Sequence, residues 1–325
     1  MRKTPPSGVG FFPCPSGTVG RVSTRSAEEF EAYRGRLFGL AYRMLGSAHE
    51  AEDIVQETFL RWEKADRASI AAPAGWLVKV ATNLCLNQLD SARVRREAYR
   101  GPWLPEPVLT ADGALGPLEL AEQRDSVSFA LLVLAERLSP AERAVFVLRE
   151  AFSYSHGEIA AILDRSEASC RQLYHRARAR LAELPETVPP PDNEIRELVE
   201  RFLAAAREGD VAGLEELLTE DVTSWADGGG QVPVAGRPVS GRLAVARYLA
   251  GTITKYGASL ETSFAEVNGT TAVLAWAGPE LSGVLVPEFD GGRIRALRIV
   301  AGPGKLAFAR AQAGGLSHPG GPSGS

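Results

Sequence analysis

Residues Tyr154–Arg180 read YSHGEIAAILDRSEASCRQLYHRARAR, two short helical patterns around a polar break. In the first, Ile159, Ala160, Ile162 and Leu163 recur at helical spacing and predict one buried side. Asp164, Arg165 and Ser166 interrupt it, and the pattern resumes near Glu167. The second helix carries Arg171, Arg176, Arg178 and Arg180, with Gln172 and His175 between them and no acid from Cys170 to Arg180. Planar guanidinium forks fit phosphate oxygens and guanine edges, so the pair reads as a DNA-binding helix-turn-helix. A solvated cationic helix face is the plain alternative, and the surrounding chain has to decide between them.

At 325 residues, 45% hydrophobic and 23% charged, the chain is long enough for two or three globular domains. A net charge of -4 excludes a protein that holds polyanions with its whole surface. Locally the balance differs: Met1 to Pro191 holds 24 basic and 24 acidic residues, and the remainder 12 and 16. The bases cluster at Arg93, Arg95, Arg96 and Arg100 and again in the ladder, which suggests two nucleic-acid contacts. Cys14, Cys85 and Cys170 are scattered, so neither a metal site nor a disulfide framework is indicated, no cofactor is expected, and a reducing cytoplasm fits. Residues 1–25 lack the apolar core of a signal peptide and read as a disordered leader. No run approaches the roughly 20 apolar residues that span a bilayer, so no membrane partner is expected.

Working outward, residues 26–100 show three helical patterns: one from Ser26 to Gly46, one over Ala48–Lys64 and one from Ala74 to about Arg96. Pro and Gly make 101–117 a linker. Residues 118–184 return to helix, with Ser139-Pro140-Ala141-Glu142 as an N-cap ahead of the helix-turn-helix. A Pro-rich spacer, 185–192, precedes a region of different character, 193–310. There, helices at Asn193–Arg207, Val211–Leu218 and Gly241–Lys255 accompany strand-like runs VTSWAD, SLETSFAEV, TAVLAWAG, SGVLVPEF and IRALRIV, separated by Asn268-Gly269 and Asp290-Gly291-Gly292 turns. Helices followed by a meander of strands predict an α+β domain, and 311–325 reads as a disordered tail.

Ala51–Ala65, AEDIVQETFLRWEKA, has Ile54, Val55, Thr58 and Phe59 on one side and Asp53, Gln56, Glu57 and Arg61 on the other. By itself it is a plain surface helix. The segment resembles region 2.2 of bacterial sigma factors of the extracytoplasmic-function (ECF) group, through Asp53, Val55, Gln56, Glu57 and Phe59. That resemblance implies docking on the β′ clamp helices of core RNA polymerase through Asp53, Gln56, Glu57, Phe59 and Trp62. The following GWLVKVATNLCLNQLDSARVRRE resembles regions 2.3 and 2.4, which read and melt the minus-10 promoter element. Amides at Asn83 and Asn87 suit the edges of an unpaired base, and Arg93, Arg95 and Arg96 suit its phosphates. The helix-turn-helix is similar to region 4, which reads the minus-35 element. Arg171, Gln172, His175, Arg176 and Arg178 are then the readers, and the β flap of polymerase and promoter DNA are the further partners.

WLPEP, Trp103 to Pro107, and DGGG, Asp227 to Gly230, are similar to motifs of the sigma factors with a fused SnoaL-like domain. This implies a cone-shaped α+β (NTF2-like) fold for 193–310, behind two all-α domains: the region 2 bundle and the region 4 helix-turn-helix. An Asn-Pro-Asp-Lys-Leu-like run of that subgroup appears here as Gly302, Pro303, Gly304, Lys305 and Leu306, differing at two positions. Trp103, Leu104, Pro105, Glu106, Asp227, Gly228, Gly229 and Gly230 are therefore expected to join the C-terminal domain to the linker and tune promoter binding. Related folds house a carboxylate base, and Asp221, Asp227, Glu261 and Glu288 are available. His49, His156, His175 and His318 all lie outside 193–310, which excludes His-carboxylate chemistry there. Fold alone does not transfer activity, so the reading is a regulator and not an enzyme, with a small-molecule ligand in the C-terminal domain as a further partner the fold admits. The rival reading, a polymerase-independent DNA-binding repressor with a sensing domain, gives no reason for the Ala51–Ala65 motif.

Overall fold

A computed structural model describes residues 24–97, 99, 101–110, 128–182, 190–257 and 259–314. The leader 1–23, Arg100, most of the segment expected to run from Leu118 into helix, the spacer 183–189 and the tail from 315 lie outside the described residues, as do the side chains of Arg93, Arg95 and Arg96.

The first helical unit is α1 (Thr24–Leu45), α2 (Ala48–Lys64) and α3 (Pro73–Glu97). Gly46, at φ 66°, ends α1 in the left-handed conformation open to glycine, and the Ser47 hydroxyl accepts the Glu50 amide at 3.1 Å to start α2. The second unit is α4 (Phe129–Ala135), α5 (Pro140–Glu150), α6 (His156–Leu163) and α7 (Glu167–Leu181). Ser139 and Ser155 each close a reciprocal capping box, with Glu142 and Glu158. Asp164, at φ 51°, makes the break between α6 and α7.

These two units are not separate bodies. Leu40, Met44 and Leu77 share one hydrophobic core with Val145, Leu148, Ile159 and Cys170. Buried Arg143 of α5 donates to the Met44 carbonyl at 2.8 Å, and Lys79 of α3 meets Asp164 at 2.6 Å.

The third unit comprises α8 (Asp192–Glu208), α9 (Val211–Leu217), β1 (Leu218–Asp227), β2 (Val239–Ser240), α10 (Arg242–Thr252), β3 (Glu261–Val267), β4 (Thr270–Ala277), β5 (Glu280–Asp290), β6 (Arg293–Val300) and α11 (Pro303–Ala313). The sheet order is β2-β1-β6-β5-β4-β3. A simple meander does not describe it: β1 lies parallel to β6, because α10 carries the chain to the far edge and three hairpins bring it back. Asn268-Gly269 and Gly291-Gly292 form two-residue turns with all four φ angles positive, the geometry that matches strand twist. Residues 311–313, expected in the tail, are helical instead: α11 continues to Ala313 with Leu306, Ala309 and Ala313 buried.

Both faces of the sheet are covered, which is why TAVLAWA is nearly continuous in apolar residues. One face packs on α8, α9 and α10. The other is covered by α11, by Leu104 and Leu109 of the linker, and by Phe129 of α4.

Candidate nucleic-acid interface and the held linker

On α7, Cys170, Leu173, Ala177 and Leu181 follow the helical period and are buried, which turns Arg171, Gln172, His175, Arg176 and Arg178 outward. Three guanidiniums of the ladder already meet carboxylates. Arg171 meets Glu167 at 2.7 Å, and Arg176 lies 3.7 Å from Glu142, which also binds Arg180 at 2.5 Å. Burial works against ionisation of Glu142, but the Ser139 hydrogen bonds and these two arginines outweigh it and hold its pKa below the usual carboxylate range. Asn87 is exposed on α3 and Asn83 half-buried.

On α2, Asp53 and Gln56 are exposed and Glu57 half-buried, with Glu57 accepting from Arg61 at 2.9 Å. Phe59 stands edge-on to Phe30 at 5.0 Å. Trp62 has to be removed from this surface. It is 1% exposed, its ring centroid 5.7 Å from that of Trp76, because position 62 falls on the inward side of the helix with Val55 and Thr58. Leu60, 44% exposed, is the apolar side chain that the motif reading passed over on this helix.

The linker is held from both sides. On the C-terminal side, the buried Asp227 carboxylate has four donors. Oδ1 accepts from the Tyr99 hydroxyl and, at 3.0 Å, from the Gly229 amide. Oδ2 accepts from the Leu104 amide at 2.8 Å and from Lys305 Nζ at 2.9 Å. Lys305 also donates to the Leu104 carbonyl, and its ammonium sits 4.1 Å from the centroid of the Trp103 ring. Burial, then the bond to Asp227, pushes the Tyr99 phenol far above its ordinary value, so it stays a donor.

The glycines of this corner are demanded by close backbone approach. A Cβ on Gly228 would lie 2.0 Å from the Val232 carbonyl oxygen. One on Gly302 would lie 2.8 Å from the backbone of Gly229. Gly302, where the resembling subgroup has an asparagine, therefore leaves room for the Asp227–Gly230 turn, and Lys305 keeps its charge in the contact.

On the region 2 side, Glu106 caps α2: Oε1 accepts from the Ser47 hydroxyl at 2.9 Å and Oε2 from the His49 amide at 3.0 Å. The Glu106 amide donates to the Gly46 carbonyl at 2.9 Å, and Tyr42 donates to the Glu106 carbonyl at 2.6 Å. Trp103 packs over Gly46, where a Cβ would come within 2.9 Å of the indole. Pro105 is buried beside it.

Beyond WLPEP the linker docks on the sheet edge through an isolated β-bridge. Leu109 pairs antiparallel with Val267 on the outer edge of β3, and the Thr110 amide donates to the Glu266 carbonyl at 3.0 Å. Asn268 joins all three parts: its Oδ1 accepts from the Val108 amide at 3.1 Å and its Nδ2 donates to the Tyr42 hydroxyl at 2.6 Å. Tyr42, Tyr99 and Asn268 were not among the site residues expected from the sequence. Only the Asn268-Gly269 turn carried a signal, and it pointed to the backbone and not to the amide's distant partners.

Comparison with known proteins finds three families along the chain. Residues 30–95 match the Sigma-70 region 2 family, 128–181 the Sigma-70 region 4 family and 199–301 the SnoaL-like domain family. The chain is 41% identical over 276 residues to the ECF RNA polymerase sigma factor SigJ of Mycobacterium tuberculosis strain H37Rv, covering 84% of this chain and 86% of that one. It is 33% identical over 290 residues to the probable ECF sigma factor SigI of the same species, covering 88% and 96%. The crystal structure of M. tuberculosis SigJ superposes with a TM-score of 0.70 at 36% identity, covering 87% of this chain and 98% of that chain. The chain belongs to the ECF RNA polymerase sigma factors, as one whose two helical sigma regions are followed by a SnoaL-like domain.

Proposed function

We propose that this sigma factor carries core RNA polymerase to promoters, and that its C-terminal domain governs access by holding the region 2–region 4 linker. In this reading Asp53, Gln56, Glu57, Phe59 and Leu60 dock on the β′ clamp helices and region 4 on the β flap, in the cytoplasm. Asn83, Asn87, Arg93, Arg95 and Arg96 take the minus-10 element, and Arg171, Gln172, His175, Arg176 and Arg178 the minus-35 element.

The observation that carries the regulatory half is the linker, bound by Asp227 and Lys305 on one side and by Tyr42, Gly46 and Ser47 on the other. The two promoter elements, named for positions 10 and 35, are centred on the order of 85 Å apart in B-DNA at about 3.4 Å per step. Here α3 touches α6 at Lys79–Asp164. From Lys79 to Arg96 is only about 26 Å of helix. Both elements cannot be read at once from this packing, so promoter engagement requires the helical units to part, and a held linker opposes that. Among the described residues that line the third domain's cavity none is a carboxylate, and Glu288 is paired with Arg298 at 2.6 Å.

Asp227→Asn keeps an acceptor for the Leu104 amide and loses the Lys305 ion pair. On core polymerase with a matched promoter, the variant is expected to raise open-complex formation by roughly three- to tenfold over the full-length parent. Unchanged output would overturn the regulatory half. Failure of the parent chain to bind core or to initiate would overturn the whole reading.

A further inference from the structure

The helix-covered face of the sheet does not close completely. A cavity of about 370 Å³ lies between the strands and α8, α10 and the single π-helical turn Ile253–Gly257. That volume is within the roughly 300–1,000 Å³ of small-molecule sites. The space exists because the sheet presents Ala226, Ala275, Gly283 and Ala301 where larger side chains would fill it. Its walls are aliphatic, from Leu203, Val234, Leu249, Val273, Leu285 and Ile299. Arg207, exposed and bonded to Thr262 at 2.7 Å, is the single charged residue of the lining, and Tyr256, 56% exposed, stands on the π turn. With hydroxyls of Tyr248, Thr252, Tyr256, Thr262 and Ser282 as its other polar side chains, the cavity suits binding.

The cavity and the held linker use opposite faces of the same strand ends. Side chains alternate along β1, so Ala226 faces the cavity while its neighbour Asp227 faces the linker. At the end of β6, Ala301 lines the cavity while its amide donates to the Asp227 carbonyl at 2.8 Å. Val232, also in the lining, donates its amide to the Gly228 carbonyl at 2.9 Å.

We propose that this cavity binds an uncharged, predominantly apolar small molecule, with any hydrogen-bonding oxygen at the Arg207–Tyr256 mouth, and that occupancy shifts the Asp227 turn and its hold on Leu104. The binding half stands on the cavity alone. The consequence for transcription rests on the function proposed above.

The test uses the full chain and the neutral fluorophore N-phenyl-1-naphthylamine, without polymerase. Gly283→Leu is the filling variant, since a Cβ there meets Ala275 Cβ and the Val300 carbonyl oxygen only at 3.7 Å. Ala275→Leu, on the paired position of β4, is the second. Saturable binding by the parent chain, weakened at least about tenfold by whichever filling variant keeps its circular dichroism, supports the site. No saturable binding, or equal binding by the filled variants, overturns it. Hydrogen exchange at the Leu104 amide then reads the coupling: a change of roughly threefold or more at saturating probe supports it, and an unchanged rate overturns it. Both readouts are independent of sigma activity, so a failure of the transcription assay leaves them decisive.

Discussion

Single residues decide how closely the three units approach. Gly46 is the sharpest case, since its φ of 66° and the Trp103 ring 2.9 Å from a built Cβ both exclude a side chain. Gly46→Ala is expected to cost about 1–3 kcal/mol, combining left-handed strain with displacement of the indole. Thermal unfolding followed by circular dichroism measures this, and an unshifted midpoint would contradict it. At this scale the sequence was partly legible. Asp227 and Trp103 sit in recognisable motifs, but the importance of Gly46 depends on an indole 57 positions away, and that of Asn268 on a tyrosine 226 positions away. Local spacing carries no information about such pairs.

Among elements, α7, the second helix of the helix-turn-helix, is tied down by its own domain. Glu142, 3% exposed at the start of α5, closes a capping box and receives Arg176 and Arg180 from α7. The arginine ladder was plain in the sequence, but that two rungs share one buried acid from another helix was not. Because folding lowers the Glu142 pKa, its contribution is complete above the unfolded value and is lost as pH falls through the folded one. Glu142→Gln is expected to destabilise the chain by about 1 kcal/mol at neutral pH, the half-exposed arginines limiting the effect. The gap between parent and variant should narrow as pH falls through the lowered folded-state pKa, where the carboxylate protonates. Urea melts across pH 3–7 test this, and a gap that persists at the acid end refutes it. The bridge that Leu109 makes on the edge of β3 was invisible beforehand, since a Pro-rich linker has no strand pattern until an unpaired edge supplies its partners.

For the whole molecule, the C-terminal sheet is completed by parts of the sigma half. Leu104, Leu109 and Phe129 belong to its second core, and Phe308 of α11 stacks on Phe38 of α1 at 5.3 Å. Stopping the chain after residue 190 would expose those apolar side chains together. The shortened chain is expected to bind 1-anilinonaphthalene-8-sulfonate several-fold more strongly than the parent and to unfold at a lower temperature. Equal dye binding and an equal melting temperature would mean that the units are independent. A truncation of this kind removes regulation and support together, whereas Asp227→Asn separates them.

The sequence by itself determined most of the helices and strands, their turns, the order of two helical units and an α+β unit, and the family. Those follow from periodicity, capping and contiguous motifs, which are local along the chain. The tertiary structure alone decided that Trp62 is core, that β1 lies parallel to β6, that α11 closes the second face of the sheet, and that the linker is held by Asp227, Lys305 and Asn268. Each of these depends on which groups meet when the chain closes or on which face is left to cover, and the free energy of burying a polar group or an apolar face is set only at that point.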